Sequence, residues 1–169
     1  IKTDNGLTIG ARIELEAFTT GDQIDEHYLY AKGGFGTIKI GADDAAHYLL
    51  HSQAPGGGYD THNEGTFSGT YGAMYVNDYS SSDANKLTYM TPDMNGFVIG
   101  LSFTPDTTTG GGGPTNKGSS NVKDTGFGDG MAVGVRYKTS MDGVSLQLGA
   151  GFQSIGSDSG GEDREVLQG

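Results

Sequence analysis

The stretch GLTIGARIELEAF, from Gly6 to Phe18, alternates apolar and polar residues without interruption. Strict period two over this length predicts a β-strand with one apolar and one polar face. The apolar face would carry Leu7, Ile9, Ala11, Ile13, Leu15 and Ala17. The polar face would carry Thr8, Gly10, Arg12, Glu14 and Glu16.

The same alternation recurs along the chain and predicts a protein built from strands. Clear repeats are Gly96–Thr104, Met131–Lys138 and Val144–Gln153, and shorter ones are Ile24–Lys32, Phe35–Gly41 and Lys86–Met90. With Gly6–Phe18 these make seven full strands, beside a stub at Ile1 and Lys2 and a further strand that begins near Glu162. In Ile24–Lys32 the pattern does not decide which face is apolar.

Composition excludes several classes of protein. The chain has 169 residues, a formal net charge of −11 and no Cys. The acidic excess argues against a phosphate-binding surface, so nucleic acid is not an expected partner. No apolar run reaches the roughly 18 residues of a membrane-spanning helix. The absence of Cys removes disulfides, thiolate zinc sites and thiol nucleophiles.

The polar rows contain many glycines, which favours a barrel over a soluble sheet. Glycine makes up 31 of the 169 residues, and six of them fall in polar rows, namely Gly10, Gly41, Gly100, Gly134, Gly149 and Gly151. Small residues between isolated charges suit the thin, wetted inner wall of a wide barrel. A curved soluble sheet with glycine kinks is the alternative. Tight turns alternate with long connections, as in up-and-down outer-membrane barrels, and this favours the barrel.

Three segments resemble the Gram-negative general porins, most closely the alphaproteobacterial type. They are TDNGLTIGARIELEA (Thr3–Ala17), QIDEHYLYAKGGFGTIKIGADDAA (Gln23–Ala46) and ANKLTYMTPDMNGFVIGLSFTPD (Ala84–Asp106). The resemblance implies an all-β fold, a transmembrane antiparallel β-barrel of the 16-stranded type. It also implies a homotrimer in the bacterial outer membrane, in contact with lipid, that lets small hydrophilic solutes and ions diffuse through a water-filled pore.

The strand count accounts for about half of such a barrel. We therefore expect residues 1–169 to be part of a single porin β-barrel domain, as an internal segment of a longer chain. An open half barrel would leave backbone groups unpaired in hydrocarbon. The alternative is a complete eight-stranded outer-membrane barrel with a structural or adhesin role. Its interior would be filled by its own side chains and would leave no room for an inward loop.

In porins of this type the third loop folds into the lumen, where acidic loop residues face basic residues of the wall. By position this loop is residues 43–83. The predicted acidic side of the constriction is Asp43, Asp44, Asp60 and Glu64, and the predicted basic wall is Arg12, Lys39 and Lys86. The acidic excess predicts a modest preference for cations. The alternative for each residue is an ordinary solvated charge.

No cofactor and no catalytic function are expected. Asp43, His47 and His51 are spaced four apart, which would place three metal ligands on one helical face, but ordinary loop polarity is the favoured interpretation. Acidic glycine-rich loops could bind Ca²⁺ on the outer surface without matching an EF-hand. No Ser lies in a nucleophile-elbow context, so an outer-membrane hydrolase is a minor alternative. A soluble adhesin or β-sandwich binding module is another.

Overall fold

The described strands of the chain form one antiparallel sheet, in which each strand pairs with its neighbours in sequence. The computed structural model describes residues 1–15, 24–52, 81, 83–107, 127–157 and 162–168. Within these ranges the chain forms eight strands, all in this one sheet, and one short helix, α1 (Ala46–Leu49). The strands are β1 (Thr8–Leu15), β2 (Ile24–Gly33), β3 (Gly36–Ala42), β4 (Asn85–Met90), β5 (Phe97–Thr104), β6 (Phe127–Met141), β7 (Val144–Ser157) and β8 (Arg164–Gln168).

All seven strands predicted from the alternation are confirmed over the described residues, which exclude positions 16–18 of the first. The strand expected from Glu162 onward begins at Arg164. The connections also alternate as predicted, because β2–β3, β4–β5 and β6–β7 are joined by short turns. In an antiparallel sheet of this order, the short turns lie at one end of the strands and the longer connections at the other.

One boundary in the sequence interpretation was wrong. The alternation predicts that the sixth strand ends at Lys138, but Thr139 and Ser140 continue it by pairing with Leu146 and Ser145. The turn consists of Asp142 and Gly143, whose φ angles are 48° and 81°. An Asp-Gly pair with two positive φ angles forms the tight hairpin turn that matches the twist of its strands, so β6 continues further than the hydrophobic pattern alone indicates.

The sheet has two chemically different faces. In β5 the burial alternates residue by residue: Phe97, Ile99, Leu101 and Phe103 are exposed, while Val98, Gly100, Ser102 and Thr104 are buried. We call the first the apolar face, and strand pairing extends it to Ile9, Leu29, Ile40, Leu87, Val133, Leu148 and Phe152. We call the opposite side the mixed face, which includes Gly10, Arg12, Lys39, Lys86, Ser102, Gly134 and Gly151.

Strand register settles the orientation of β2, which the sequence left open. Tyr28 lies opposite Arg12 and Tyr30 opposite Gly10, so both tyrosines belong to the mixed face. Leu29 lies opposite Ala11 and, on its other side, Ile40, so it belongs to the apolar face. Side chains directly opposite each other in antiparallel strands lie on the same side of the sheet.

The exposed apolar face is extensive. Leu29 is 63% exposed, Ile40 59%, Leu101 53% and Leu148 55%. Contiguous apolar surface on this scale is uncommon on soluble monomers and marks a surface that meets another apolar phase. Among the residues described, no helix is both long and apolar enough to cross a bilayer.

We predict that Leu101→Arg destabilises the intact protein by about 2–4 kcal/mol, because position 101 lies at mid-strand on the apolar face and would carry the charge into hydrocarbon. Met141→Arg is the matched control at the end of β6, where the cost in a bilayer falls to about 0–1 kcal/mol. Both positions are exposed, so a water-facing sheet would tolerate both substitutions equally. Denaturant unfolding in phospholipid vesicles distinguishes the two outcomes.

Candidate functional site

The segment that follows β3 is attached to the mixed face by an ion pair. Lys39 Nζ lies 2.5 Å from Asp43 Oδ2, and the two side chains are 15% and 3% exposed. The same ammonium lies 4.4 Å from the centre of the Tyr28 ring, where the ring face attracts a cation. Lys39 is therefore held on the wall by both a carboxylate and an aromatic ring.

Lys86 fixes the same segment from the neighbouring strand β4. Its ammonium donates hydrogen bonds to the backbone carbonyl of Asp43 and, at 2.7 Å, to that of Ala84. The residue is only 4% exposed, and a buried ammonium is tolerated only when its donors are used and its charge is balanced. The two ends of the long β3–β4 connection thus meet at one side chain.

Three carboxylates surround this lysine. Ligand oxygens of Glu26, Asp44 and Asp83 all lie within 4.8 Å of one another, and all three interact electrostatically with Lys86. Burial, reinforced by the charge of Asp83, raises the pKa of Asp44 to about 7, while Lys86 opposes this shift. Lys86 supplies the positive charge that such a cluster needs.

Arg12 joins this network from β1. Its guanidinium pairs with Glu14 on its own strand, and its Nε lies 3.6 Å from Glu26 Oε2 on β2. The arginine is half exposed, at 53% for the side chain. Glu26 therefore links Arg12 to the carboxylates around Lys86, and charges from β1 to β4 form one continuous patch on the mixed face.

Five of the seven residues predicted for the constriction lie in the described structure. Lys39, Lys86, Asp43 and Asp44 are brought together where the long connection begins and ends, and Arg12 is connected to them through Glu26. Asp60 and Glu64 lie outside the described residues. The loop of residues 43–83 also lies outside the described residues after position 52, except at positions 81 and 83.

The sequence interpretation missed Glu26. Its strand was the one whose faces were left open, so it could not be assigned to the side of Arg12. The spacing did contain a signal, because Glu26, Tyr28 and Tyr30 are two residues apart and therefore lie on the same face of a strand. Once Tyr28 and Tyr30 are placed opposite Arg12 and Gly10, Glu26 lies on that face as well.

Beyond Asp44, the chain turns into α1 and lies against the mixed face. The backbone N–H of Ala46 donates to Ser102 Oγ at 2.8 Å, and Ser102 Oγ is hydrogen-bonded to Thr88 Oγ1 at 2.7 Å. Ala46 and His47 have no exposed surface, and Leu50 has 2%. Among the described residues, Asp43, His47 and His51 do not gather as metal ligands, and Glu26, Asp44 and Asp83 form the one group with that geometry.

These features define a class of protein. An exposed apolar face is backed by a charged and glycine-rich face, and polypeptide is packed against the second side. A transmembrane β-barrel has this arrangement, with lipid outside and a polar interior.

Comparison with known proteins identifies the family. The Gram-negative porin family matches residues 1–169, and the chain belongs to it. Gram-negative porins are outer-membrane proteins, so this is the location of the protein. The chain is also 27% identical over 149 residues to an uncharacterized protein of Rickettsia felis, an alphaproteobacterium, which fits the alphaproteobacterial type. That alignment covers 72% of this chain and 33% of the relative, so the chain spans about a third of the relative's length. No solved structure matches the chain significantly.

We predict that Lys86→Met destabilises the protein by about 3–5 kcal/mol, because it removes a buried cation from the half-buried carboxylates of Glu26, Asp44 and Asp83. Lys32→Met is the matched control, since Lys32 is exposed on β2 and exposed charges contribute little to stability. Denaturant unfolding of both variants in vesicles provides the comparison. Equal stability of the two variants would contradict the anchoring role of Lys86.

We predict that stability falls as pH rises from about 4 to 7, with Asp44 as one cause. The pKa of this carboxyl is about 7 in the folded protein, against 3.8 ordinarily. The folded state therefore holds a proton that the unfolded state has lost in this window, and the stabilisation disappears as the pH passes through the folded value. Asp44→Asn should show a flatter pH dependence than Asp142→Asn, an exposed turn variant. Parallel pH profiles for the two variants would exclude Asp44 as a cause of the pH dependence of stability.

Proposed function

We propose that this chain forms part of a general diffusion channel for small hydrophilic solutes and ions. The observation that carries the proposal is the contrast between the two faces: exposed Leu29, Ile40 and Leu101 on one side, and a buried ionic network with packed chain on the other. A barrel wall that separates lipid from a wet lumen needs this contrast along every strand. The channel class agrees with membership of the porin family.

We further propose that the complete barrel is of the 16-stranded type, assembled as a homotrimer. In the described ranges β8 pairs on one side only, and the outer side of β1 is paired only at Thr8 and Ile9, with Lys2 and Ile1. Unpaired backbone in hydrocarbon costs several kcal/mol per group. Additional strands would satisfy both edges. A closed eight-stranded barrel is less suitable, because its interior is filled by side chains, whereas here the mixed face also accommodates α1.

The proposed constriction has Arg12, Lys39 and Lys86 on the wall, and Asp43, Asp44, Asp60 and Glu64 on the loop. The proximity of Lys39 and Lys86 to the acidic start of the loop supports this assignment. Glu14, Glu26 and Asp83 add carboxylates to the same patch, so negative groups outnumber positive ones. Fixed charge at a narrow point selects ions by sign, and an acidic excess favours cations.

The proposal includes neither catalysis nor a cofactor. Porins are a channel family without enzymatic activity, and Lys39 and Lys86 are engaged in anchoring the loop through Asp43. Bound Ca²⁺ on the outer loops stays a prediction, as does the absence of a nucleic-acid partner.

Reversal potentials in planar bilayers under a KCl gradient test the ion preference. We expect the intact channel to prefer K⁺ at pH 8 and less strongly at pH 6, because the Asp44 carboxylate loses its charge between these values. Asp44→Asn should weaken K⁺ preference at pH 8 and reduce the pH effect, and Asp142→Asn should behave as the wild type. Anion selectivity of the wild type at pH 8 would overturn the proposed constriction.

A further inference from the structure

Three glycines form a row across three neighbouring strands of the mixed face. Gly100 of β5 pairs with Gly134 of β6, and Gly134 pairs with Gly151 of β7. Gly149 lies on β7 two residues before Gly151, opposite Arg136. Because glycine has no side chain, the mixed face is recessed along a band that crosses these strands. We call these four residues the glycine seat.

The seat is occupied by backbone, not by solvent. A β-carbon added at Gly134 would overlap the carbonyl group of Ala46, with the carbonyl carbon at 2.9 Å. At Gly151 it would lie 2.8 Å from the Cα of His47, and at Gly149 it would lie 2.6 Å from the carbonyl oxygen of Leu50. Real β-carbons essentially never approach other heavy atoms within 3.0 Å.

The contacts at Gly134, Gly149 and Gly151 involve main-chain atoms, so a rotamer change cannot relieve them. Gly100 differs in part, because its nearest neighbours are the Leu50 side chain at 2.9 Å and the Ala46 β-carbon at 3.0 Å. The helix is also fixed along the wall, through the hydrogen bond from Ala46 to Ser102. The seat therefore determines how closely residues 46–52 approach the wall.

We infer that the glycine seat sets the bore of the pore by fixing how far the start of the third loop projects from the wall. This inference rests on the proposed channel function. A methyl group in the seat lifts α1 toward the lumen, since ordinary contact begins near 3.4 Å. The four glycines are thus positioning residues that act through the loop and determine the size of solute that passes.

Single-channel conductance of the intact porin tests this inference. We expect conductance to fall in the order wild type, Gly134→Ala, Gly134→Val, and to fall in Gly151→Ala. Gly156→Ala is the matched control on β7, because a β-carbon there meets only Asp129 at 3.3 Å or more, first at its flexible carboxylate. The control should keep wild-type conductance. Unchanged or larger conductance in Gly134→Ala and Gly151→Ala would overturn the inference.

A cysteine pair separates failure of the seat from failure of the channel. The 169 residues contain no Cys, and a β-carbon at Gly100 would lie 3.0 Å from that of Ala46. Small movements bring this to the 3.5–4.5 Å of a disulfide. Oxidised Ala46→Cys/Gly100→Cys should form an intramolecular disulfide, seen as a mobility shift, whereas absence of the bond would contradict the seat. Formation of the disulfide in the double-cysteine variant, together with a wild type that opens no pores, would contradict the proposed function alone.

Discussion

Hydrocarbon offers no hydrogen-bond partner to a backbone N–H or C=O, so a strand in a bilayer must be paired along both edges. The rest of this structure follows from that requirement. Pairing each strand with its neighbours in sequence satisfies it through local hairpins, and the order β1 to β8 has no crossover. Once the backbone is paired, the side chains are free to divide between the two faces. The outward side meets lipid, and the inward side can carry charge.

The mixed face is itself divided. From β1 to β4 it carries charges, and Lys39 and Lys86 hold the start of the loop through Asp43. From β5 to β7 it carries glycines, against which the backbone of residues 46–52 packs. Ionic contacts fix the loop laterally near its root, and close backbone approach fixes its distance from the wall further along. Neither set of contacts alone fixes both the lateral position of the loop and its distance from the wall.

Much of the fold could be predicted because period two is a local property. A run such as Phe97–Thr104 reveals its strand and its faces from eight residues. The orientation of β2 could not be obtained in this way, because Tyr28 and His27 suit either environment, and only pairing with Arg12 and Gly41 decides it. Glu26 was missed for the same reason. The end of β6 depended on the backbone conformation of Asp142, which hydrophobicity does not report.

The sequence placed the glycines on the correct face of the sheet, but the reason it suggested for them was incomplete. Their position on the inner face was predicted and agrees with the strand pairing, as at Gly100 and Gly134. The expected cause was a thin, wetted wall. In the structure Gly134 and Gly151 face polypeptide, and the lack of a side chain allows the loop to approach. Contacts between residues far apart in sequence cannot be predicted from composition. The packing of residues 46–52 against these glycines is therefore known only from the structure.

Site-directed spin labelling along β5 tests most directly whether lipid meets one face of this sheet only. Single cysteines at positions 97–104 of the intact porin in vesicles would be labelled and relaxed by oxygen, which concentrates in lipid, or by a water-soluble nickel chelate. We expect oxygen-dominated relaxation at Phe97, Ile99, Leu101 and Phe103, and weak oxygen relaxation at Val98, Gly100, Ser102 and Thr104. Equal oxygen accessibility at all eight positions, or relaxation of the first four by the nickel chelate, would contradict it.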